Sequence, residues 1–76
     1  MMKAIYLEWE DSASVTGWQW YDGSMVLHVV TIGFLVGEDG KSVTISSSYD
    51  ANADPKFADI MSIPKSAIRK RRWLKV

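Results

Sequence analysis

Apolar and polar residues alternate at the start of the chain: Ile5, Leu7 and Trp9 share one parity, while Tyr6, Glu8 and Glu10 share the other. A period of two predicts a strand with one buried face. The alternation returns from Lys41 to Tyr49. There Val43, Ile45 and Tyr49 share a parity with Ser47, and Ser42, Thr44, Ser46 and Ser48 form a hydroxylic, solvent-facing set. Between these runs, residues 25–36 are rich in β-branched side chains and apolar in both parities. That pattern predicts a long strand that bends and changes face, with Gly33 as a bulge or kink. Gly37-Glu38-Asp39-Gly40 has the chemistry of a tight hairpin connection to the next strand.

The remaining segments are less regular. Residues 11–24 are bounded by turn formers and predict a loop with room for one helical turn, and residues 50–56, with Asn52-Ala53-Asp54-Pro55, predict another. A short strand over 57–63 follows, with Met61 and Ile63 turned inward, and Pro64 ends it. Ile63-Pro64-Lys65-Ser66-Ala67-Ile68 then predicts a 3₁₀-like corner leading into a final strand. A helix capped at Ser62 competes with this, but residues 63–74 lack an apolar stripe at helical spacing. The expected fold is mainly β: a small five-stranded SH3-like or Sm-like barrel or roll, with a long loop after strand 1 and a 3₁₀-like turn before the last strand. Residues 1–76 are expected to form one small β-barrel domain.

Size changes what this fold must do to be stable. A chain of 76 residues buries only roughly 60 to 65% of its unfolded surface. Small domains are often reinforced by disulfides, metals or oligomerisation. With no cysteine and one histidine, a homo-oligomer is the device left to expect. Lack of cysteine also fits a reducing, cytoplasmic setting. Residues 25–36 are interrupted by His28, Thr31 and Gly33 and fall short of the roughly 20 apolar residues of a spanning helix, so no membrane association is expected.

Charge is distributed unevenly along the chain. The first 60 residues carry three lysines against nine carboxylates, whereas Lys65, Arg69, Lys70, Arg71, Arg72 and Lys75 are the only charged residues of the last sixteen. A zero net charge conceals this dipole. Arg69-Lys70-Arg71-Arg72 puts cations on both faces of a strand, so the segment belongs at a sheet edge, where charge opposes strand-to-strand aggregation. The same residues, with Trp73 available to stack, suit phosphates and single-stranded nucleic acid. Trp18, Trp20 and Tyr21 form a second candidate surface. Two tryptophans two apart project the same way in an extended segment, as an interface platform or as packing for a barrel end. Catalytic chemistry is sparse. His28 lies within an apolar strand and reads as a core or sheet-face histidine; no second histidine or cysteine completes a metal set, and no phosphate-cradling glycine motif is present. No catalytic residue, metal or cofactor is expected.

Trp9, Asp11, Gly17-Trp18, Gly33-Phe34-Leu35-Val36 with Glu38-Asp39, and Ile63-Pro64-Lys65 with Ile68, in this order, resemble small, mostly uncharacterised proteins of bacteriophages and prophages. The resemblance spans nearly the whole chain and implies a phage accessory gene acting in the host cytoplasm. It supplies no catalytic residues. Likeness to Sm proteins is one of fold layout, and the loop holding Trp18 and Trp20 departs from it.

The sequence therefore predicts a non-enzymatic interaction protein with a host or phage protein as partner. Two alternatives stand beside it. One is a nucleic-acid or nucleotide binder using Arg69, Lys70, Arg71, Arg72 and Trp73; the other is a structural subunit of a homo-oligomer, its basic end set against acidic surface on a neighbour.

Overall fold

The computed structural model describes residues 2–12, 18, 26–52 and 56–75. Within them lie five strands and one 3₁₀ turn: β1 (Ala4–Ser12), β2 (Val26–Glu38), β3 (Ser42–Tyr49), β4 (Phe57–Pro64), the turn Lys65–Ala67, and β5 (Ile68–Leu74). All pairs are antiparallel, and the strands form one sheet in the order β4-β3-β2-β1-β5. Among the described residues no backbone ladder joins β4 to β5, so the sheet is open and both are edges. The mainly β expectation and the corner before the last strand hold.

The core follows from the parity of β1 and β3. Ile5, Leu7, Val43, Ile45 and Ile63 are fully buried, with Trp9, Leu35 and Ile68 packed around them. Burying each of the five contributes about 1.5–3 kcal/mol. Trp9 meets its polar requirement at the margin of this core by donating its indole N–H to Thr31 Oγ1 at 3.0 Å. Met61 departs from expectation: it is exposed, and on β4 only Ile63 is buried. Among the described residues β4 has β3 on one side only, and of its inward parity Ile63, beside Val43 next to the 3₁₀ turn, is covered while Met61, beside Ile45, is not.

Gly33 also serves a purpose other than the expected one. The irregularity of β2 lies between Leu35 and Gly37, where the register with β3 shifts. Gly33 is instead a point of close approach, since a Cβ there would stand 2.8 Å from the Ser46 backbone oxygen. The backbone of β3 thus crosses where only a residue without a side chain fits. Crowding here reverses the expected environment of Ser46. It belongs to the hydroxylic parity of β3 but is buried, flanked in the two ladders by Phe34 and Ile60, and its hydroxyl has no hydrogen-bond partner.

The hairpin between β2 and β3 is closed by Asp39. Its carboxylate accepts the backbone N–H groups of Lys41 at 2.7 Å and Ser42 at 2.8 Å, and these bonds hold its pKa below the ordinary carboxylate value. The Lys65 N–H then donates to the Lys41 carbonyl at 2.8 Å, tying the 3₁₀ turn to the same hairpin. This brings a basic residue of the corner to the acidic end of β2.

β3 does not accompany β2 along its whole length. Its ladder begins at Phe34, whereas β1 pairs with β2 from Phe34 out to Val26. β5 in turn covers β1 only from Ala4 to Trp9. Among the described residues the Ser12 and Val26 end of the β1–β2 pair therefore runs beyond its neighbours as a two-stranded ribbon, consistent with the elongated extents of 52 × 24 × 23 Å.

Candidate interaction surface

Antiparallel pairing of β1 with β5 lays the acidic parity of one strand along the basic run of the other. Tyr6 opposes Arg72 and Glu8 opposes Lys70, and a register shift between Glu8 and Trp9 sets Trp9 against Ile68. Three of the four consecutive cations, Arg69, Lys70 and Arg71, consequently face carboxylates of their own chain. Arg69 Nη2 donates to Glu10 Oε2 at 3.1 Å and its Nη1 to the Ser66 carbonyl at 2.7 Å. Lys70 Nζ stands 3.9 Å from Glu8 Oε2. Arg71 grips Glu38 through both of its terminal nitrogens, at 3.1 and 3.0 Å, and Lys65 Nζ approaches the same carboxylate at 2.8 Å. Bonds from Arg71 and then Lys65 bring the Glu38 pKa down to about 2, and the same carboxylate raises that of Arg71.

Arg72 is different. No carboxylate lies within ion-pair distance of it among the described residues. With Lys70, Tyr6 and Leu74 it lines a shallow depression of about 270 Å³ on the face opposite the core. The Tyr6 hydroxyl donates to Glu8 Oε2 at 2.7 Å, and this bond raises the phenol pKa.

Trp73 opposes the buried Ile5 yet is 53% exposed, because β5 is a sheet edge with no further strand beside it among the described residues. Lys3 Nζ lies 5.1 Å and the Arg71 guanidinium carbon 5.6 Å from its ring centroid. Both are cation–π contacts. The indole is thereby held by charged neighbours while much of its surface stays in water.

Of the residues singled out from the sequence, Arg69, Lys70, Arg71, Arg72 and Trp73 come together on the edge strand β5. Trp18 is fully exposed and does not pack in the core. Trp20 and Tyr21 lie outside the described residues. His28 is a sheet-face residue: its side chain is largely exposed, with Nδ1 3.7 Å from Glu10 Oε1. Sequence reasoning passed over Glu8, Glu10 and Glu38 as partners of the basic run and treated the acids only as a bulk excess. Glu8 and Glu10 share a parity, so a strand pairing with β5 was the signal that links them to it. It also passed over Val30 and Ile32, two of the large apolar side chains left exposed, at 59% and 60%.

Among the described residues no helix is long and apolar enough to cross a membrane. No family model, curated protein or solved structure matches this chain.

Proposed function

We propose that this chain is a non-enzymatic protein-interaction module of the phage accessory type, working in the host cytoplasm with an SH3-like or Sm-like layout of its five strands. The partner is a host or phage protein that docks on the β5 edge around Trp73. The observation that carries this reading is the neutralisation of the basic strand in place: Lys65, Arg69, Lys70 and Arg71 each face a carboxylate of the same chain. Cations so engaged release fewer counterions to a polyanion, while a half-exposed tryptophan at an edge suits an interface anchor. Lys3 and Arg71 over the indole also compete with base stacking.

Photo-crosslinking from position 73, in cells that carry the gene, tests the reading. A discrete protein adduct that is absent when the crosslinker sits at the exposed Lys41 is the expected result. Adducts to nucleic acid, or none beyond that control, overturn it.

One observation favours a second reading, a nucleotide or nucleic-acid phosphate binder. Among the described residues Arg72 has no carboxylate within ion-pair distance, and it shares its depression with Lys70 and Tyr6. Binding of a labelled single-stranded oligonucleotide, titrated from about 50 to 300 mM salt, separates the two. Micromolar affinity that falls steeply with salt and is lost in R72E favours the phosphate reading.

A further inference from the structure

Besides the two edges β4 and β5, part of β2 has no strand beside it among the described residues, an opening that no sequence feature announced. Which backbone groups face it follows from one hydrogen bond. The Leu35 N–H donates to the Lys3 carbonyl at 2.8 Å, so the N–H and C=O groups of odd-numbered β2 residues point at β1. In an antiparallel ladder the orientation alternates, so those of His28, Val30, Ile32 and Phe34 point away. Phe34 meets β3 on that side, as its pairing with Ser46 requires. Among the described residues no strand pairs with His28, Val30 or Ile32 on that side, and their side chains are exposed.

The segment His28-Val29-Val30-Thr31-Ile32 contains four β-branched residues and no glycine, proline, lysine, arginine or carboxylate. An exposed strand edge of this composition is a template for another strand. Protein monomers commonly guard such an edge with a lysine, a proline or a bulge, and here the guarding charge is on β5 instead.

We propose that β2 pairs antiparallel with β2 of a second copy of this chain, about a two-fold axis at Val30. The free segment is symmetric about that residue: Val30 meets Val30 of the second copy, and His28 meets its Ile32. All three outward N–H and C=O pairs on each copy are then satisfied, and no like carboxylates or ammonium groups are opposed. A second copy is the occupant favoured because the segment holds no Lys, Arg, Asp or Glu to set like against like across a two-fold axis, and each outward N–H and C=O finds its counterpart in the same segment of the other copy. β3 and its ladder from Phe34 onward bound the segment at one end. In the dimer, the two sheets join into one that runs through both subunits. Five residues a side bury less than the roughly 1,200 Å² of a standard stable interface, so the association is weak and depends on concentration. The surface is separate from Trp73, and the proposal stands or falls independently of the partner docked there.

A chain without cysteine makes the test direct. V30C places two thiols across the axis in a directly opposed pair with Cα atoms about 5.5 Å apart, within disulfide reach. H28C places its thiol opposite Ile32 of the second copy and serves as the offset control. Under mild oxidation V30C is expected to form the covalent dimer at least tenfold faster than H28C. Equal rates overturn the proposal. In sedimentation equilibrium from about 10 µM to 1 mM, the wild-type chain is expected to shift from monomer toward dimer. V30K and V30E should each remain monomeric with unchanged circular dichroism, while their equimolar mixture recovers the dimer through opposite charges on the axis. A wild-type chain monomeric at 1 mM, or a V30K variant that still dimerises, also overturns it.

Discussion

Arg71 and Glu38 meet end to end, two guanidinium nitrogens on two carboxylate oxygens at 3.1 and 3.0 Å, although their strands are separated by β1 in the sheet. The contact spans a gap that no backbone ladder bridges, and Lys65 from the 3₁₀ turn reinforces it at 2.8 Å. It works as an ionic clasp between the last strand, the corner before it and the β2–β3 hairpin. An exposed clasp adds less to stability than its geometry suggests, because solvent and salt screen it.

The clasp has a pH signature. A Glu38 pKa of about 2, depressed from its ordinary value of 4.5, means that the folded state binds this proton less tightly than the unfolded one. Its stabilisation is fully present above pH 4.5 and is lost as pH falls toward 2. Thermal melts of the wild-type chain and Glu38→Gln should differ at pH 7, converge as pH drops through that window, and also converge in 1 M salt. A difference that persists at pH 2 would contradict the assignment.

Gly33→Ala should destabilise the fold by about 1–3 kcal/mol, since the new methyl meets the Ser46 carbonyl at 2.8 Å and a β3 backbone atom cannot swing aside. Gly37→Ala, with nothing within 4 Å of its Cβ position, should change stability by less than about 0.5 kcal/mol. Urea unfolding of both variants makes the comparison.

Ser46→Ala should raise stability. The buried hydroxyl has no partner, and removing such a group relieves a desolvation cost of about 1–3 kcal/mol, offset in part by a small cavity. A lower urea midpoint than wild type would mean that the hydroxyl is satisfied in solution.

Leu7→Ala should cost about 2–5 kcal/mol, because Leu7 is fully buried in a small core that, among the described residues, it shares with Ile5, Val43, Ile45 and Ile63. For a domain this small that is much of the total stability, and the variant should be substantially unfolded at 37 °C by circular dichroism.

If the basic strand is neutralised by its own chain, freeing it should unmask phosphate affinity. Glu8→Gln with Glu10→Gln releases Lys70 and Arg69 from carboxylates at 3.9 and 3.1 Å. Oligonucleotide affinity should rise, and the slope of log K against log salt should steepen by about one to two. An unchanged slope would show that these acids do not mask the strand.

Sequence alone determined the elements. Parity in Ile5, Leu7 and Trp9, and again in Val43 and Ile45, specified two strands and their buried faces, because a period of two leaves one geometric solution. Asp39 and Gly40 marked the hairpin, and Pro64 marked the corner, through backbone preferences that act within a few residues. Tertiary structure decided what those elements meet. That Glu8 and Glu10 would quench Lys70 and Arg69 depends on β5 pairing with β1, a contact across about 60 residues that no local pattern encodes. Met61 was exposed and Ser46 buried for a similar reason: parity says which face a side chain takes, and neighbouring strands say whether that face is covered. The unpaired stretch of β2 is the clearest instance, since residues 25–36 read as one long apolar strand and only the point where β3 departs from it leaves His28, Val30 and Ile32 at an open edge.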